Sequence, residues 1–168
     1  FPQLTGRVVD NANILSPEVE ASLVGKLQSL ETSTTRQLVV VTRASLQGYE
    51  IEEYGYQLGR AWKIGRASEN DGTLLIVAPN ERSVRIEVGY GLEGVLTDGL
   101  SSLIISQQIV PKFKAGDMPG GIEAGDVHAA PRKKLFRRAR RGPAGSGEHR
   151  SRTGCTRFPV IRWCASGP

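Results

Sequence analysis

The chain has 168 residues, 39% hydrophobic and 23% charged, enough for one domain with a real core and too few for a second of ordinary size. No run of eighteen apolar residues occurs, which excludes a helical bilayer span within it. Its two cysteines, Cys155 and Cys164, form neither a CxxC nor a Cys/His zinc pattern. The formal charge of +5 hides a division: residues 1–126 carry 11 Lys+Arg against 16 Asp+Glu, whereas residues 127–168 carry 11 Lys+Arg against Glu148 alone. The chain opens at Phe1 rather than Met, as a processed or a trimmed terminus does, so any leader or anchor would lie outside it.

Leu15-Ser16-Pro17-Glu18 reads as a helix start: Ser accepts from a free N–H, Pro tolerates the first turn, and Glu18 and Glu20 suit the positive helix end. Val19, Leu23, Leu27 and Leu30 continue the helical stripe to about Thr32. Gln37 to Thr42 is a short β-branched run, apolar on both faces, as expected of a central strand covered by helices. Ile51, Tyr54, Leu58, Ala61 and Trp62 mark a second helical face that stops at Lys63 and Gly65.

Asn70-Asp71-Gly72 is a turn signal before the apolar run Thr73 to Ala78. After Pro79-Asn80-Glu81-Arg82 comes Ser83 to Val88, so the two runs predict an antiparallel hairpin. The second run alternates, with Val84, Ile86 and Val88 on one face and Ser83, Arg85 and Glu87 on the other, which predicts a strand near the sheet edge with its polar face less deeply buried. Leu100, Leu103 and Ile104 begin a third helix that Pro111 ends or kinks, with Phe113 beyond. These elements alternate as in a layered α/β domain.

Gly89-Tyr90-Gly91-Leu92-Glu93-Gly94 is a literal GxGxxG. It follows a hairpin strand rather than opening a βαβ unit, and the next helix begins only near Asp98, so a dinucleotide site is not the reading. The hairpin instead predicts that Asp71 neighbours the Gly89–Asp98 loop. Asp71, Glu93 and Asp98 then stand as candidate ligands for a hard divalent cation, with Asp10 and Asn11 joining if the loop before the first helix folds over the same edge. Each has an ordinary reading too: Asp71 as a turn residue, Asp98 as a helix cap, Glu93 as a solvated loop carboxylate. Arg85 and Glu87 read as an ion pair, and Trp62 as core. His128 and His149 lack partner patterns, and no Ser, Cys or His hydrolase constellation is present.

The segments VVDNANILS (8–16), QLVVVT (37–42), IEEYGYQLGRAWKIG (51–65), NDGTLLIVAPNERSVRIEVGYGLEGVLTD (70–98) and IVPKFKAGDMPGGIEAG (109–125) occur in order and together resemble the TPM domain. This family includes thylakoid-lumen acid phosphatases linked to photosystem II repair, and bacterial exported or membrane-anchored proteins. The resemblance covers about residues 4–125. It implies a three-layer α/β/α sandwich around a mixed β-sheet and, for some members, a bound divalent cation and phosphatase activity. It therefore raises Asp10, Asp71, Glu93 and Asp98 as metal ligands for Ca²⁺ or Mg²⁺, with Asp71 and Asp98 as the catalytic pair.

On that basis residues 1–125 form the TPM-like domain and residues 126–168 a basic, disordered tail. Where the family continues with an apolar helix, this chain reads GDVHAAPRKKLFRRARR (125–141). Its abundance of Arg, Gly, Pro and Ala without hydrophobic period reads as out-of-frame translation of a GC-rich gene, against a basic arm for anionic lipid or nucleic acid. A Cys155–Cys164 disulfide would close only a small loop there. The expected function is an exported or periplasmic, membrane-anchored, metal-binding domain that hydrolyses phosphomonoesters. The metal would polarise the phosphoryl group and acidify a bound water, with a carboxylate taking its proton. The alternative is a non-catalytic accessory module that binds a partner in a membrane protein complex and uses the cation to order loops. No sequence-specific nucleic-acid contact is expected.

Overall fold

A computed structural model describes residues 1–129 and the two-residue strand at 161–162. Short β1 (Val8–Asp10) leads into α1 (Pro17–Thr34), whose Ser16 cap accepts from the Val19 N–H at 3.4 Å. The helix runs two residues past the expected end and stops where Thr35 turns left-handed at φ 63. Next come β2 (Leu38–Thr42), buried throughout, and α2 (Ile51–Trp62), ended by left-handed Lys63. The hairpin strands β3 (Thr73–Ala78) and β4 (Ser83–Val88) have the bounds that their apolar runs predict. Strand β1 has only three residues, too few to display a period in sequence.

The sheet order is β1-β2-β3-β4-β5, where β5 is Ile161–Arg162. Strands β1, β2 and β3 run parallel, and β4 pairs antiparallel to β3 with Thr73 opposite Val88. Strand β5 pairs antiparallel to β4 at Ser83 and Val84, and among the described residues the rest of β4 has no further strand beside it on that side.

Because successive side chains of a strand point to opposite faces, the strands feed two cores. Val8, Leu38, Val40, Leu75, Val77, Val84 and Ile86 pack with Leu23 and Leu27 of α1 and with the C-terminal helices. Val9, Val39, Val41, Leu74 and Ile76 pack against Ile51, Tyr54 and Leu58 of α2. The result is a mixed sheet between helical layers, a three-layer α/β/α sandwich.

Three local features differ from the sequence expectation. The polar face of β4 is covered rather than open: α2 lies over it, Arg85 is 4% exposed, and its Nε donates to Glu87 Oε2 at 2.6 Å. Gly55 of α2 creates that room, since a Cβ there would stand 2.6 Å from Ile76 Cδ1 and 3.7 Å from Arg85 Cδ. Of the two outcomes expected at Pro111, ending or kinking the third helix, the helix does not end there. Helix α3 (Asp98–Ile104) passes through a π-helical turn (Ile105–Ile109) into α4 (Val110–Lys114). A proline inside a helix lacks an N–H and crowds the carbonyl four residues back, and a π-turn absorbs such a mismatch. Leu103 consequently faces solvent while Ile104, Ile105 and Ile109 are buried.

The third difference is α5 (Met118–Ala129), a helix in a stretch whose glycines obscure any period. Gly121 lies against the Phe113 ring and Gly125 against Ile109 and Leu75, so the missing side chains let the helix sit close to the sheet. Asp126, where the composition shifts, falls inside this helix and is 4% exposed. Apart from its first residues up to Ala129 and the strand Ile161–Arg162, the basic tail, including His149, Cys155 and Cys164, lies outside the described residues.

Candidate functional site

The hairpin brings its two ends together as its pattern implies. Gly89 N–H donates to Gly72 O at 2.8 Å, and Gly91 N–H to Asn70 O at 3.0 Å. The GxGxxG glycines thereby acquire a structural reason. A Cβ at Gly89 or Gly91 would run into the Asn70 or Glu69 carbonyl, so they are sites of close backbone approach rather than a phosphate cradle.

Asp71 sits in this junction, 3% exposed. Its Oδ1 accepts from the Arg66 backbone N–H at 2.9 Å, and its Oδ2 accepts from Arg66 Nε at 2.9 Å and Nη2 at 2.6 Å. Burial alone would push the carboxyl up, but the hydrogen bonds and charge of Arg66 outweigh it and hold Asp71 below the ordinary carboxylate range. Asp71 thus clamps the 66–71 loop shut. A second anchor is Gln37, whose Oε1 accepts from the Gly65 N–H and whose carbonyl accepts from the Thr73 N–H, both at 2.8 Å.

The other candidate ligands are placed differently. Glu93 follows a 3₁₀ turn (Tyr90–Leu92) and is exposed beside the cleft. Asp98 is the first residue of α3; the cap is Thr97, whose Oγ1 accepts from the Leu100 N–H at 3.3 Å. Asp10 belongs to the opposite edge of the sheet. It pairs with Thr42, which pairs with Val77, so it stands six residues along β3 from Asp71, roughly 20 Å at strand rise. One cation cannot span that separation.

Asp10 has its own structural task. Its Oδ1 accepts from the Thr42 hydroxyl and from the Ile14 N–H at 3.3 Å, and Oδ2 accepts from the Leu15 N–H at 2.8 Å. It ties the loop before α1 to β2. Asn11, the other residue expected to join, is exposed at the Asp10 edge. Among the described residues no group of three or more His, Cys, Asp or Glu side chains gathers to hold a metal ion. The four carboxylates therefore do not assemble into the one shared site expected of them.

Instead the junction borders a cleft of about 530 Å³ between the last turns of α2, the loop after it, and the Gly89–Glu93 segment. Arg60, Lys63 and Arg66 line it, together with Glu87, Tyr90 and Glu93. Arg60 Nη1 donates to the Tyr56 hydroxyl at 2.7 Å, with its guanidinium 5.4 Å from the Tyr56 ring centroid. Thr73 lines the cleft with a buried hydroxyl that has no hydrogen-bond partner. Burial pushes the Glu87 carboxyl up despite Arg85 beside it.

The sequence reading did not single out Arg60, Lys63 or Arg66, although three cations within seven residues at a helix C-terminus form a visible pattern. Trp62, expected in the core, is half-buried and packs against the α2-side core, with Nε1 donating to the Pro2 carbonyl at 2.9 Å.

Comparison with known proteins adds a lineage. The TPM domain profile matches residues 8–128. The solved N-terminal domain of a P. gingivalis protein is 34% identical, with 79% of this chain and 82% of that chain covered and a TM-score of 0.71. The N-terminal domain of a Corynebacterium glutamicum protein is 16% identical, covering 92% and 94% at a TM-score of 0.60. The BA42 protein of the psychrophilic bacterium Bizionia argentinensis is 18% identical, covering 77% and 86% at 0.63. The last two likenesses concern the fold. No curated protein matches the chain. With the profile spanning most of its length and the sandwich in place, the chain belongs to the TPM domain family.

Proposed function

We propose that this TPM domain is a non-catalytic binding module of an exported, membrane-associated complex, and that its cleft receives an anionic group of the partner. The observation that supports the reading is the presence of Arg60, Lys63 and Arg66 together in the lining of the cleft. Arg66 is anchored by buried Asp71 while half of its side chain stays open to solvent, so it is positioned without being consumed. Exposed Tyr56 and Tyr90 flank the same cleft, and tyrosine and arginine are the side chains that dominate binding surfaces.

The second reading is phosphomonoester hydrolysis, as in the phosphatases of the family. The same cations and the unpartnered Thr73 hydroxyl favour it, because both suit a phosphoryl oxygen.

Phosphoserine titrated into isotope-labelled protein separates the two readings. Saturable shifts in Lys63–Gly72 and Gly89–Glu93, lost in the Arg60→Ala/Lys63→Ala variant and without release of inorganic phosphate, are the expected result. Phosphate release by the wild type that this double variant abolishes would make the protein a phosphatase.

A further inference from the structure

A second site stands at the opposite end of the sheet. In open α/β sheets ligands gather outside the carboxyl ends of parallel strands, and here β1 and β2 end side by side at Asp10 and Thr42. The residues immediately beyond, Asn11 and Arg43, line a groove of about 480 Å³ together with Gln47, Tyr49, Tyr54 and Gln57, closed on one side by Phe1 and Pro2. That volume suits a small organic ligand.

Two polar groups of the groove are unused. Among the described residues, Tyr54 is 3% exposed and its hydroxyl is buried with no hydrogen-bond partner. Arg43 Nε is likewise buried without a partner, and the guanidinium lies 5.7 Å from the Tyr54 ring centroid. Buried polar groups left unpaired are rare in folded proteins and each asks for a cause. Among the described residues no acidic side chain lines the groove beside Arg43. The Arg43 backbone is held in place, its N–H donating to Val77 O at 2.8 Å. Burial raises the Tyr54 phenol above its ordinary range, against the pull of Arg43, which keeps the hydroxyl a donor.

We propose that this groove binds a small carboxylate with an aromatic or apolar body. The planar guanidinium fork of Arg43 matches a carboxylate bidentately. The Tyr54 hydroxyl donates to the same group once Phe1, whose ring meets Tyr54 edge-on at 5.3 Å, shifts aside. The amides of Asn11, Gln47 and Gln57 complete a polar rim, and Phe1, Tyr49 and Tyr54 enclose the ligand's apolar body.

The test uses the 168-residue chain, isotope-labelled, with benzoate as probe and benzamide and inorganic phosphate as controls. Benzoate is expected to give saturable shifts at Asn11, Arg43, Gln47, Tyr54 and Gln57. Arg43→Gln and Tyr54→Phe should each weaken binding about tenfold, which corresponds to about 1.4 kcal/mol. Tyr54→Phe should leave the melting temperature unchanged or raise it, because the lost hydroxyl has no partner in the fold. This separates a binding role from a structural one. The proposal is overturned if benzoate produces no shift there at tens of millimolar. It is equally overturned if benzamide or phosphate shifts the same residues as strongly, or if Tyr54→Phe binds benzoate as the wild type does.

Discussion

Arg66 and Asp71, five positions apart, close a loop in which one guanidinium and one backbone N–H occupy both oxygens of a buried carboxylate. A residue that appears in sequence as a metal ligand serves in the fold as the clasp of a loop.

Asp71→Asn should therefore act first on stability. Loss of the charged acceptor from a buried site costs about 1–3 kcal/mol, read as a lower midpoint in urea, with faster amide exchange over residues 63–72. The pH dependence has a definite sign. The Asp71 pKa is depressed in the fold, so its contribution is present above its ordinary value of 3.8 and is lost as pH falls through the folded value. Wild type should lose stability below pH 4 more steeply than the variant does.

Asp126 has the opposite sign. Burial, aided by Glu123 and opposed by Lys26, pushes its carboxyl up to about 8, and neither oxygen has a hydrogen-bond partner among the described residues. The protonated form fits the fold, so its stability is whole below about pH 4 and declines as pH rises towards 8. Asp126→Leu should remove that decline and raise the melting temperature at pH 8 by several degrees. Thermal melts of both proteins from pH 4 to 9 check this; parallel curves would refute it.

Gly91→Ala should destabilise strongly, because the added Cβ meets the Glu69 carbonyl, a backbone atom with nowhere to move. A loss of about 2–3 kcal/mol is expected. Gly94→Ala, with open space around it, is the matched control and should stay within about 0.5 kcal/mol of wild type.

Millimolar Ca²⁺ or Mg²⁺ should leave the melting temperature unchanged, and chelation likewise. A cation bound to the folded state stabilises it by mass action, and among the described residues no three acids converge to bind one. A saturable rise that disappears in Glu93→Gln with Asp98→Asn would restore the cation site.

Much of the architecture was legible in the sequence because it is local. The Ser16-Pro17 start, the covered strand at Leu38–Thr42 and the hairpin Thr73–Val88 each carry their signal within a few residues, and the order of segments identifies the family. Helix α5 was not legible, since Gly121 and Gly125 earn their place only through contact with Phe113 and Ile109. Nor did alternation reveal that Arg85 and Glu87 lie beneath α2.

The carboxylates show the division most clearly. By themselves the residues determined that Asp71 and the Gly89–Asp98 loop share one sheet edge, because an antiparallel hairpin must bring its ends together. Tertiary structure alone decided that Asp10 lies at the far edge, since strand direction in a parallel β1-β2-β3 array follows from crossovers that no local pattern encodes. It also decided what Asp71 does. A buried carboxylate takes whichever cation and N–H groups the fold places beside it, and here the fold places Arg66.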